Sequence, residues 1–343
     1  MRNKTCLPSE WAPQSGIQLT WPHAGTDWAP ILDEVEACYL ELAKAIASRT
    51  KLLIVGPDTD HVRSLLLAEG IDLSNVRFFE CPTNDTWARD HGGITLMVDG
   101  EPVVYDFKFN GWGLKFAACH DNLITSRLCQ AGMLSAAYEN RLNFVLEGGG
   151  IESDGEGTLL TTSECLLSPN RNGEWDRHQI EEYLKRTFNL RRVLWVDHGF
   201  LAGDDTDSHI DTLARLCPNH AIAYVRCLDA DDEHYEALRL MEEQLRTFLA
   251  PDGRPYRLIA LPMADAIYDG DERLPATYAN FLVMNDAVLY PTYRQPENDA
   301  AAAEALAEAF PGREIVGIDC TALIKQHGSL HCVTMQYPEN VII

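Results

Sequence analysis

The sequence predicts an α/β protein in which small ββα units repeat along the chain in a propeller-like array. Two observations lead to this prediction. Runs of β-favouring residues meet in pairs at short turns of Asn, Asp and Gly, as the strands of hairpins do. These turns recur about every 55 to 67 residues with helical patterns between them, a spacing typical of repeated supersecondary units. A plain doubly wound sheet is the alternative.

Four hairpins are predicted, each from two β-favouring runs and the turn that joins them. They are residues 94–98 and 102–107 around Asp99-Gly100, residues 143–146 and 158–162 around 148–150 and Asp154-Gly155, residues 210–217 and 221–226 around Pro218-Asn219, and residues 278–284 and 287–290 around Asn285-Asp286. Asn, Asp and Gly tolerate the backbone conformations that such turns require.

Helical patterns lie before, between and after these hairpins. The first covers residues 31–48 and has one apolar stripe, which consists of Ile31, Val35, Tyr39, Leu42 and Ile46. Residues 179–188, 233–249 and 300–310 are further helical segments. We expect these last three to cover the outside of a β core with their apolar faces.

Composition restricts the classes of partner. Asp and Glu outnumber Lys and Arg by 52 to 28, so the formal net charge is −24. Such a surface repels the phosphates of nucleic acids and of anionic membranes, and it permits a small cationic partner. No apolar run reaches the roughly 18 residues of a membrane span, and residues 1–16 lack the apolar core of a secretory signal. We therefore expect a cytoplasmic protein with no nucleic-acid or membrane partner, and leave a homo-oligomer open.

The ten cysteines are scattered along the chain, and none forms a CxxC pair. This pattern argues against thioredoxin-like and zinc-ribbon sites, and in a cytoplasm the thiols should be reduced. His327 and His331 have the i, i+4 spacing of metal ligands, but Gly328 between them disfavours a helix. No metal site is predicted.

Polar clusters at the ends of predicted strands are the candidate functional residues. Trp87, Arg89 and Asp90 precede His91 and two glycines, which would let the backbone approach a ligand. A buried Arg–Asp pair is the structural alternative. Glu147 ends an apolar strand before three glycines, so its carboxylate is either exposed at a hairpin or directed into a cavity.

His209 and Asp211 are two residues apart, and in an extended segment 209–213 they would share one face. A histidine beside a carboxylate is a proton-transfer pair, whereas a solvated acidic loop with one satisfied histidine is the alternative. Near the C-terminus, strand alternation would put Cys332 on a polar face with Thr334 and Gln336, and His331 on the other face. Cys332 is then a candidate nucleophile whose base comes from elsewhere, or else a buried structural cysteine.

Taken together, these segments resemble the agmatine deiminases of the guanidine-modifying pentein superfamily, and the bacterial-type peptidylarginine deiminases are closely similar. The resemblance runs from Glu10-Trp11 and Trp21-Pro22-His23 to the C-terminal segment. Its other motifs are Asp85-Thr86-Trp87-Ala88-Arg89-Asp90, Phe109-Asn110-Gly111-Trp112-Gly113, Glu147-Gly148-Gly149, Pro169-Asn170-Arg171-Asn172, His209-Ile210-Asp211 and Leu330-His331-Cys332-Val333-Thr334.

The resemblance implies one domain over residues 1–343, a five-bladed α/β propeller of ββα units with pseudo-fivefold symmetry. It also implies that Cys332 is the nucleophile, that His209 is the general acid and base, that Asp90 and Asp211 hold the guanidinium, and that Glu147 supports the site. No metal or organic cofactor is implied.

Agmatine is the expected substrate, because no insertion or dedicated cationic side chain for an α-carboxylate is recognisable. Trp87 and Trp112 are candidates to pack its methylenes, Asp204 or Asp205 to meet its distal amine, and Asn280 to line the site. The alternatives are a peptidylarginine deiminase, a non-catalytic pentein that binds polyamines or a protein partner, and a metal-dependent amidohydrolase. The sequence departs from the family pattern before the nucleophile, at 327–330, and at Ser208, where the family has glycine.

Overall fold

The computed structural model describes residues 5–342, and within them the chain has a mixed α/β fold. The expectation about a secretory leader falls partly on residues 1–4, which lie outside the described residues. The strands, in chain order, are β1 Thr5–Cys6, β2 Gln14–Thr20, β3 Lys51–Gly56, β4 Val76–Glu80, β5 Ile94–Val98, β6 Glu101–Lys108, β7 Ala137–Val145, β8 Ile151–Ser153, β9 Thr158–Thr162, β10 Arg192–Val196, β11 Ala214–Cys217, β12 Ala221–Arg226, β13 Arg257–Pro262, β14 Tyr268–Asp269, β15 Glu272–Arg273, β16 Leu282–Val283, β17 Ala287–Thr292, β18 Glu314–Asp319 and β19 Thr334–Pro338.

The helices alternate with these strands. They are α1 Leu32–Ala47, α2 Thr59–Ala68, α3 Ala88–His91, α4 Gly111–Leu114, α5 Ile124–Gln130, α6 Ser163–Leu166, α7 Pro169–Asn172, α8 Arg177–Phe188, α9 Tyr235–Leu245 and α10 Pro296–Ala309. Short 3₁₀ turns occupy Ala29–Ile31, Leu73–Asn75, Asp121–Leu123, Gly148–Gly150, Ile210–Thr212 and Leu323–Gln326.

One pairing pattern recurs in five sheets of the described chain. An antiparallel pair comes first, and its second strand then pairs in parallel with a third strand. The pattern is β19-β2-β3, β5-β6-β7, β8-β9-β10, β11-β12-β13 and β16-β17-β18, and a further strand, β4, follows β3 in parallel. A parallel pair needs a crossover, and helical segments lie between the paired strands in each case. The pattern agrees with repeated ββα units and contradicts the alternative of one doubly wound sheet.

The described chain divides into two compact units. The first unit consists of Pro13–Gly148 with residues 331–342, and the second consists of Thr5–Ala12 with Gly149–Leu330. Two of the recurring sheets belong to the first unit and three to the second. The single domain over residues 1–343 stays a prediction.

The first unit shows why its predicted helix forms where it does. Helix α1 buries Val35, Tyr39, Leu42 and Ile46, four of the five residues of the predicted stripe. Tyr39 packs edge-on against Trp21 with the ring centroids 5.3 Å apart. Strand β3 beneath the helix is buried along nearly its whole length, as expected for a parallel strand covered on both faces.

Three helices predicted for the second unit are present with shifted ends. Helix α8 begins at Arg177 because Asp176 and Gln179 form a capping box around its first turn. Helix α10 begins at Pro296, a residue suited to the first turn of a helix. Helix α9 is shorter than the predicted segment 233–249.

Three predicted strands were wrong in whole or in part. Residues 143–145 end the parallel strand β7, and the hairpin arms are β8 and β9. Residues 210–212 form a 3₁₀ turn, and of residues 278–284 the strand comprises Leu282–Val283. These buried irregular segments use side chains to satisfy the backbone: Thr277 Oγ1 donates to the carbonyl of Thr212 at 2.8 Å. Apolar runs of this length do not reveal such bonds.

Candidate active site

The predicted site residues form two groups, one in each unit. Trp87, Asp90, Trp112, Glu147 and Cys332 belong to the first unit; Asp205, His209, Asp211 and Asn280 belong to the second. All except the half-buried Asp205 are buried. Burial of three carboxylates and one histidine requires compensating contacts within each unit.

Asp90 lies in the short helix α3, where its carboxylate is 3% exposed. Trp112 Nε1 donates a hydrogen bond to Asp90 Oδ2 at 2.9 Å. An indole N–H can only donate, so Asp90 Oδ2 is the acceptor in this bond. Trp112, which was predicted to pack against the methylenes of the substrate, therefore orients the Asp90 carboxylate by a hydrogen bond.

Trp112 reaches Asp90 from a left-handed turn. The φ angles of Gly111, Trp112, Gly113 and Leu114 are 68°, 54°, 80° and 68°. A side chain at Gly111 would bring its Cβ within 2.2 Å of the Phe116 carbonyl oxygen, so this position excludes one. Glycine adopts such angles easily, whereas Trp112 and Leu114 do so with strain. Strain of this kind clusters at functional sites, where surrounding contacts maintain it.

Aromatic rings extend from Trp112 along one side of this group. The ring centroids of Trp112 and Trp87 are 6.5 Å apart, those of Trp112 and Phe109 are 5.0 Å apart, and those of Trp87 and Trp28 are 5.7 Å apart. Asp85 supports this arrangement, since its Oδ1 accepts from Trp28 Nε1 at 3.0 Å. The result is an aromatic wall of Trp28, Trp87, Phe109 and Trp112.

Two carboxylates behind the wall have raised pKa values. Burial raises the pKa of Asp85 to about 6, although hydrogen bonds from Thr86, Trp87 and Trp28 oppose the shift. Burial also raises the pKa of Asp121 to about 7, and the nearby charge of Asp85 adds to that shift. Asp121 accepts the backbone N–H groups of Asn84 at 2.6 Å and Asp85 at 3.0 Å. Asp121 therefore holds the segment that leads into Trp87 and α3.

Cys332 is 3% exposed and lies in a turn rather than in a strand. The backbone N–H of Thr334 and its Oγ1 both donate to the carbonyl of His331, each at 3.0 Å, so β19 begins only after this turn. The predicted alternation from Leu330 to Thr334 was therefore wrong for residues 330–333. The turn places the Cys332 carbonyl against α3, where the backbone N–H of Arg89 donates to it at 3.1 Å.

Arg89 connects three of the predicted segments within the first unit. Its Nε donates to the carbonyl of His331 at 3.5 Å, and its Nη1 lies 3.8 Å from Met335 Sδ. Glu147 leads into Gly148, where an added Cβ would lie 2.3 Å from the Arg89 carbonyl oxygen. The backbone of Arg89 therefore contacts the Cys332 segment and the Glu147 segment, and Asp90 follows it directly.

In the second unit, His209 and Asp211 are completely buried. His209 caps a 3₁₀ turn, Ile210–Thr212, and Asp211 lies within that turn, so the expected extended segment was wrong. Thr212 explains the difference, because its Oγ1 donates to the carbonyl of His209 at 2.8 Å and closes the turn. An added Cβ at Gly150 would lie 3.2 Å from Cys165 Sγ, a tight contact, and 3.9 Å from His209 Nε2, an ordinary one, so Gly150 lies close to both side chains.

The loop before His209 has an unusual backbone. Asp207 and Ser208 are consecutive non-glycine residues with φ of 64° and 59°. Asp204 supports this conformation, since its Oδ2 accepts from the Ser208 N–H at 2.8 Å and its Oδ1 from Thr206 Oγ1 at 2.7 Å. Asp204 is thus engaged within the loop, and Asp205 lies half-buried beside it. The left-handed conformation of Ser208 is one that glycine adopts without strain.

Asp211 and Asn280 lie next to each other, as Asn280 Nδ2 donates to the Asp211 carbonyl at 3.5 Å. Arg215 binds the backbone immediately before and after Asn280, because its Nη1 donates to the carbonyls of Ala279 at 3.1 Å and Phe281 at 2.5 Å. The structure therefore brings Asp211 and Asn280 together within the second unit.

Arg215 is itself completely buried and is paired with two carboxylates. Its Nη2 lies 2.7 Å from Glu10 Oε2, and its Nε donates to Glu152 Oε1. Burial alone would lower the pKa of Arg215, but Glu152, Glu10 and Asp211 together raise it. Sequence analysis missed this residue, because an arginine flanked by apolar residues carries no local signal of a buried ion-pair cluster.

No role in the site was predicted for Arg171, although it lies in one of the motifs of the family resemblance. Its side chain is fully buried, its Nη1 pairs with Asp207 Oδ2, and its Nη2 donates to the Thr206 carbonyl at 2.8 Å. The family resemblance includes this motif but implies no role for the Arg171 guanidinium.

The histidines with metal-like spacing do not share a helix. His327 ends the 3₁₀ turn Leu323–Gln326 with φ of 67°, and its Nδ1 lies 2.7 Å from the carbonyl oxygen of Gly203. No helix among residues 5–342 has the length and apolar character needed to span a bilayer.

Comparison with known proteins gives consistent results. The model of the Porphyromonas-type peptidyl-arginine deiminase family matches residues 6–338. A Legionella pneumophila protein named "Putative agmatine deiminase" is 32% identical over 97% of this chain and 95% of its own. A Porphyromonas gingivalis structure named "Putative Arginine Deiminase" is 56% identical, covers 99% and 100% of the two chains, and has a TM-score of 0.94. A C. jejuni agmatine deiminase variant solved with substrate bound is 38% identical over 98% and 97%, with a TM-score of 0.92.

The fold, the buried carboxylates and these relatives define the chain as an amidine-hydrolysing deiminase that acts on guanidino groups. It belongs to the Porphyromonas-type peptidyl-arginine deiminase family. The expected family and enzyme class are thereby confirmed.

Proposed function

We propose that this deiminase converts agmatine to N-carbamoylputrescine and ammonia through a covalent intermediate on Cys332. The observation that carries this proposal is the full-length likeness to the C. jejuni agmatine deiminase with substrate bound. The aromatic wall beside the buried Asp90 supports it, since such a wall suits a methylene chain attached to a guanidinium.

Two carboxylates would hold the substrate. In the proposal Asp90 and Asp211 receive the N–H groups of the guanidinium, and Glu147 supports them. A planar guanidinium offers several donors in a fixed geometry, so paired carboxylates orient its central carbon for attack. The bond from Trp112 to Asp90 Oδ2 supports this role, because it holds one oxygen of that carboxylate in place.

The first half of the proposed reaction forms the covalent intermediate. The Cys332 thiolate attacks the central carbon and forms a C–S bond, and a positive substrate nearby favours the thiolate over the thiol. His209 donates a proton to the departing nitrogen, the C–N bond breaks, and ammonia leaves. An amidino-thioether then remains on Cys332.

The second half returns the enzyme to its starting state. His209 accepts a proton from water, the hydroxide adds to the same carbon, and the C–S bond breaks to release the Cys332 thiolate. The added hydroxyl group loses its proton to solvent as the C–S bond breaks, so the product is a neutral urea. Removing one partner of a buried ion pair costs roughly 3–5 kcal/mol, so the neutral product should be held less tightly than the cationic substrate.

The far end of agmatine is a second cation. Asp205 is our candidate to receive this amine, because it is half-buried and neighbours the loop of Asp204 and His209. Asn280 would line the site beside Asp211, and Trp87 and Trp112 would pack against the methylenes.

A peptidylarginine deiminase is the second candidate. The family name and the name of the 56% identical relative favour it, since both refer to arginine substrates. In this case the carbon chain would carry a peptide backbone or a carboxylate instead of an amine, and Asp205 would lose its proposed role.

We further propose that the five sheets form a five-bladed propeller in one domain over residues 1–343. Their common pairing pattern supports this arrangement. The partner would be a small guanidino cation, with no nucleic acid or membrane, which the net charge of −24 supports. A cytoplasmic location and a homo-oligomer remain parts of the same proposal.

The decisive experiment compares three substrates at equal concentration. Pure enzyme is incubated with agmatine, free arginine and a peptide with an internal arginine, and ammonia release is followed. We expect kcat/KM to be greatest for agmatine. Turnover of arginine or of the peptide without turnover of agmatine would reject the agmatine assignment and favour the second candidate.

A second experiment concerns the nucleophile. Cys332→Ala should abolish ammonia release and leave agmatine binding measurable by calorimetry. Mass spectrometry of acid-quenched wild-type enzyme during turnover should detect the amidino adduct on Cys332. Unchanged release by Cys332→Ala would refute the nucleophile, whereas loss of activity after exhaustive chelation would favour a metal-dependent amidohydrolase.

A further inference from the structure

The loop of residues 204–208 leads directly into the histidine that the proposed reaction uses as acid and base. It contains two successive non-glycine residues with positive φ, Asp207 and Ser208. Non-glycine residues rarely adopt positive φ, and they do so only where surrounding contacts stabilise that conformation. Asp204 supports the conformation from within the loop, so the question is which group outside the loop also maintains it.

One guanidinium contacts this loop at two points. Arg171, from the short helix α7, pairs through Nη1 with Asp207 Oδ2 and donates through Nη2 to the Thr206 carbonyl at 2.8 Å. The arginine side chain is 0% exposed and that of Asp207 is 25% exposed. Partial removal from water strengthens the pair relative to a surface ion pair, and the planar fork fixes both partners in one orientation.

The same loop is bonded forward to His209. Thr206, whose carbonyl Arg171 holds, accepts the backbone N–H of His209 on its Oγ1 at 3.1 Å. Ser208 Oγ donates to Glu164 Oε2 at 3.1 Å, and Glu164 lies in α6, just before α7. A continuous set of contacts therefore runs from α6 and α7 through the loop to the backbone of His209.

We propose that Arg171 is a positioning residue for the deimination reaction, which holds the 204–208 loop in its left-handed form and thereby orients His209. This inference rests on the proposed function of His209 as acid and base. Without the guanidinium, Asp207 loses this ion pair and the Thr206 carbonyl loses this donor. Residues 207 and 208 then relax to negative φ, and the following imidazole turns away from the reacting nitrogen.

The variant Arg171→Met tests the proposal, with Arg177→Met as the matched control. Arg177 forms an ion pair with Asp197 at 3.0 Å in the same unit, but its side chain is 45% exposed. We expect Arg171→Met to lower kcat by about 10²-fold, within the range of acid–base catalysis, with KM changed less than about threefold. Arg177→Met should keep wild-type kcat and KM.

Restoration of kcat by a second substitution would distinguish a positioning role from a general loss of structure. Glycine adopts positive φ without strain, so Ser208→Gly in the Arg171→Met background should recover kcat by about tenfold. NMR of histidine-labelled protein gives a readout that does not depend on turnover. The imidazole signal of His209, assigned by its absence in His209→Asn, should shift in Arg171→Met and return towards wild type in the double variant.

If Arg171→Met does not fold, Arg171→Lys replaces it, because lysine keeps the charge and loses the fork. This variant should show a smaller loss of kcat that Ser208→Gly also reverses. The proposal is overturned if kcat falls no further than in Arg177→Met or if only KM changes. It is also overturned if Ser208→Gly does not restore kcat.

The outcome is distinguishable from failure of the proposed function. The ratio of variant to wild-type kcat is measured on whichever guanidino substrate the wild type turns over, so preference for arginine over agmatine leaves the Arg171 result intact. If His209→Asn retains activity within about twofold, the acid–base assignment itself fails and the role of Arg171 fails with it. If His209→Asn is inactive and Arg171→Met is not, the role of Arg171 alone fails.

Discussion

The indole Nε1 of Trp112 donates a 2.9 Å hydrogen bond to Asp90 Oδ2, and both side chains are buried. The donor is presented by a left-handed turn that Gly111 and Gly113 make accessible. A strained tryptophan whose polar atom meets a buried carboxylate indicates that the orientation of Asp90 matters beyond packing.

Replacing Trp112 by Phe should therefore weaken substrate binding. The ring is kept and the donor is lost, and a hydrogen bond to a charged group contributes roughly 1.5–3 kcal/mol. We expect kcat/KM to fall by about 10- to 100-fold, measured as ammonia release. Trp195→Phe is the control, since Trp195 Nε1 donates to Glu181 Oε2 at 2.9 Å away from the predicted site residues. Equal effects of the two changes would contradict a specific role for Trp112.

A larger residue at Gly148 should reduce both stability and activity. Gly148→Ala would place a Cβ 2.3 Å from the Arg89 carbonyl oxygen, a backbone atom that cannot move without moving α3. Overpacking of this kind costs typically 1–3 kcal/mol, and it should also lower kcat because Asp90 follows Arg89. Urea denaturation and ammonia release measure the two effects.

Gly56→Ala serves as the control for Gly148. The added Cβ would meet Trp21 Cβ at 3.5 Å, an ordinary contact. This variant should be close to wild type in stability and activity. If Gly148→Ala behaves like Gly56→Ala, the close approach of Gly148 to Arg89 does not constrain the site.

The sequence indicated the repeated units because turn residues and apolar periodicity are local properties. Through the resemblance it also suggested candidate site residues, most of which are buried in the structure. It placed His209 and Asp211 on a strand and Cys332 on an alternating face, and both placements were wrong. The bonds that decide these segments, from Thr212 to His209 and from Thr334 to His331, involve side chains that propensity treats as ordinary strand formers.

The buried arginines could not be predicted for a different reason. Arg215 meets Glu10 and Glu152, which lie 205 and 63 positions away in the chain. Contacts at such separations leave no periodic pattern in the sequence. Only the folded chain shows that these carboxylates share one guanidinium.

Arg215→Met should be the most destabilising of the changes considered. It leaves two buried carboxylates without their shared cation, and breaking a buried pair in this way costs roughly 3–5 kcal/mol. The free energy of unfolding, from urea denaturation, is the measurement. Arg294→Met is the control, because its ion pair with Asp319 is exposed and should contribute little. A similar loss in both variants would argue against a central role of the Arg215 cluster.

The pKa values behind the aromatic wall predict how stability depends on pH. Burial raises the pKa of Asp121 from 3.8 to about 7, so the folded protein retains a proton that the unfolded chain releases. Where the folded state binds more protons, stability falls as pH rises. The contribution of Asp121 is therefore favourable below about pH 4 and is lost as the pH rises through about 7. Asp85, with a pKa of about 6, acts in the same direction.

A buried histidine opposes this trend at lower pH. Burial lowers the pKa of His91 to about 3, so its contribution is lost as the pH falls from 6.5 towards 3. His91 is present in both the wild type and Asp121→Asn, so the difference between their slopes from pH 6.5 to 8.5 reports Asp121 alone. Asp121→Asn cannot ionise, so its free energy of unfolding should fall less steeply with pH in this range than that of the wild type. Asp72→Asn, at an exposed turn where hydrogen bonds from Ser74 lower the pKa, should keep the wild-type slope. A slope for Asp121→Asn equal to that of Asp72→Asn would show that Asp121 is already ionised in the folded protein throughout this range.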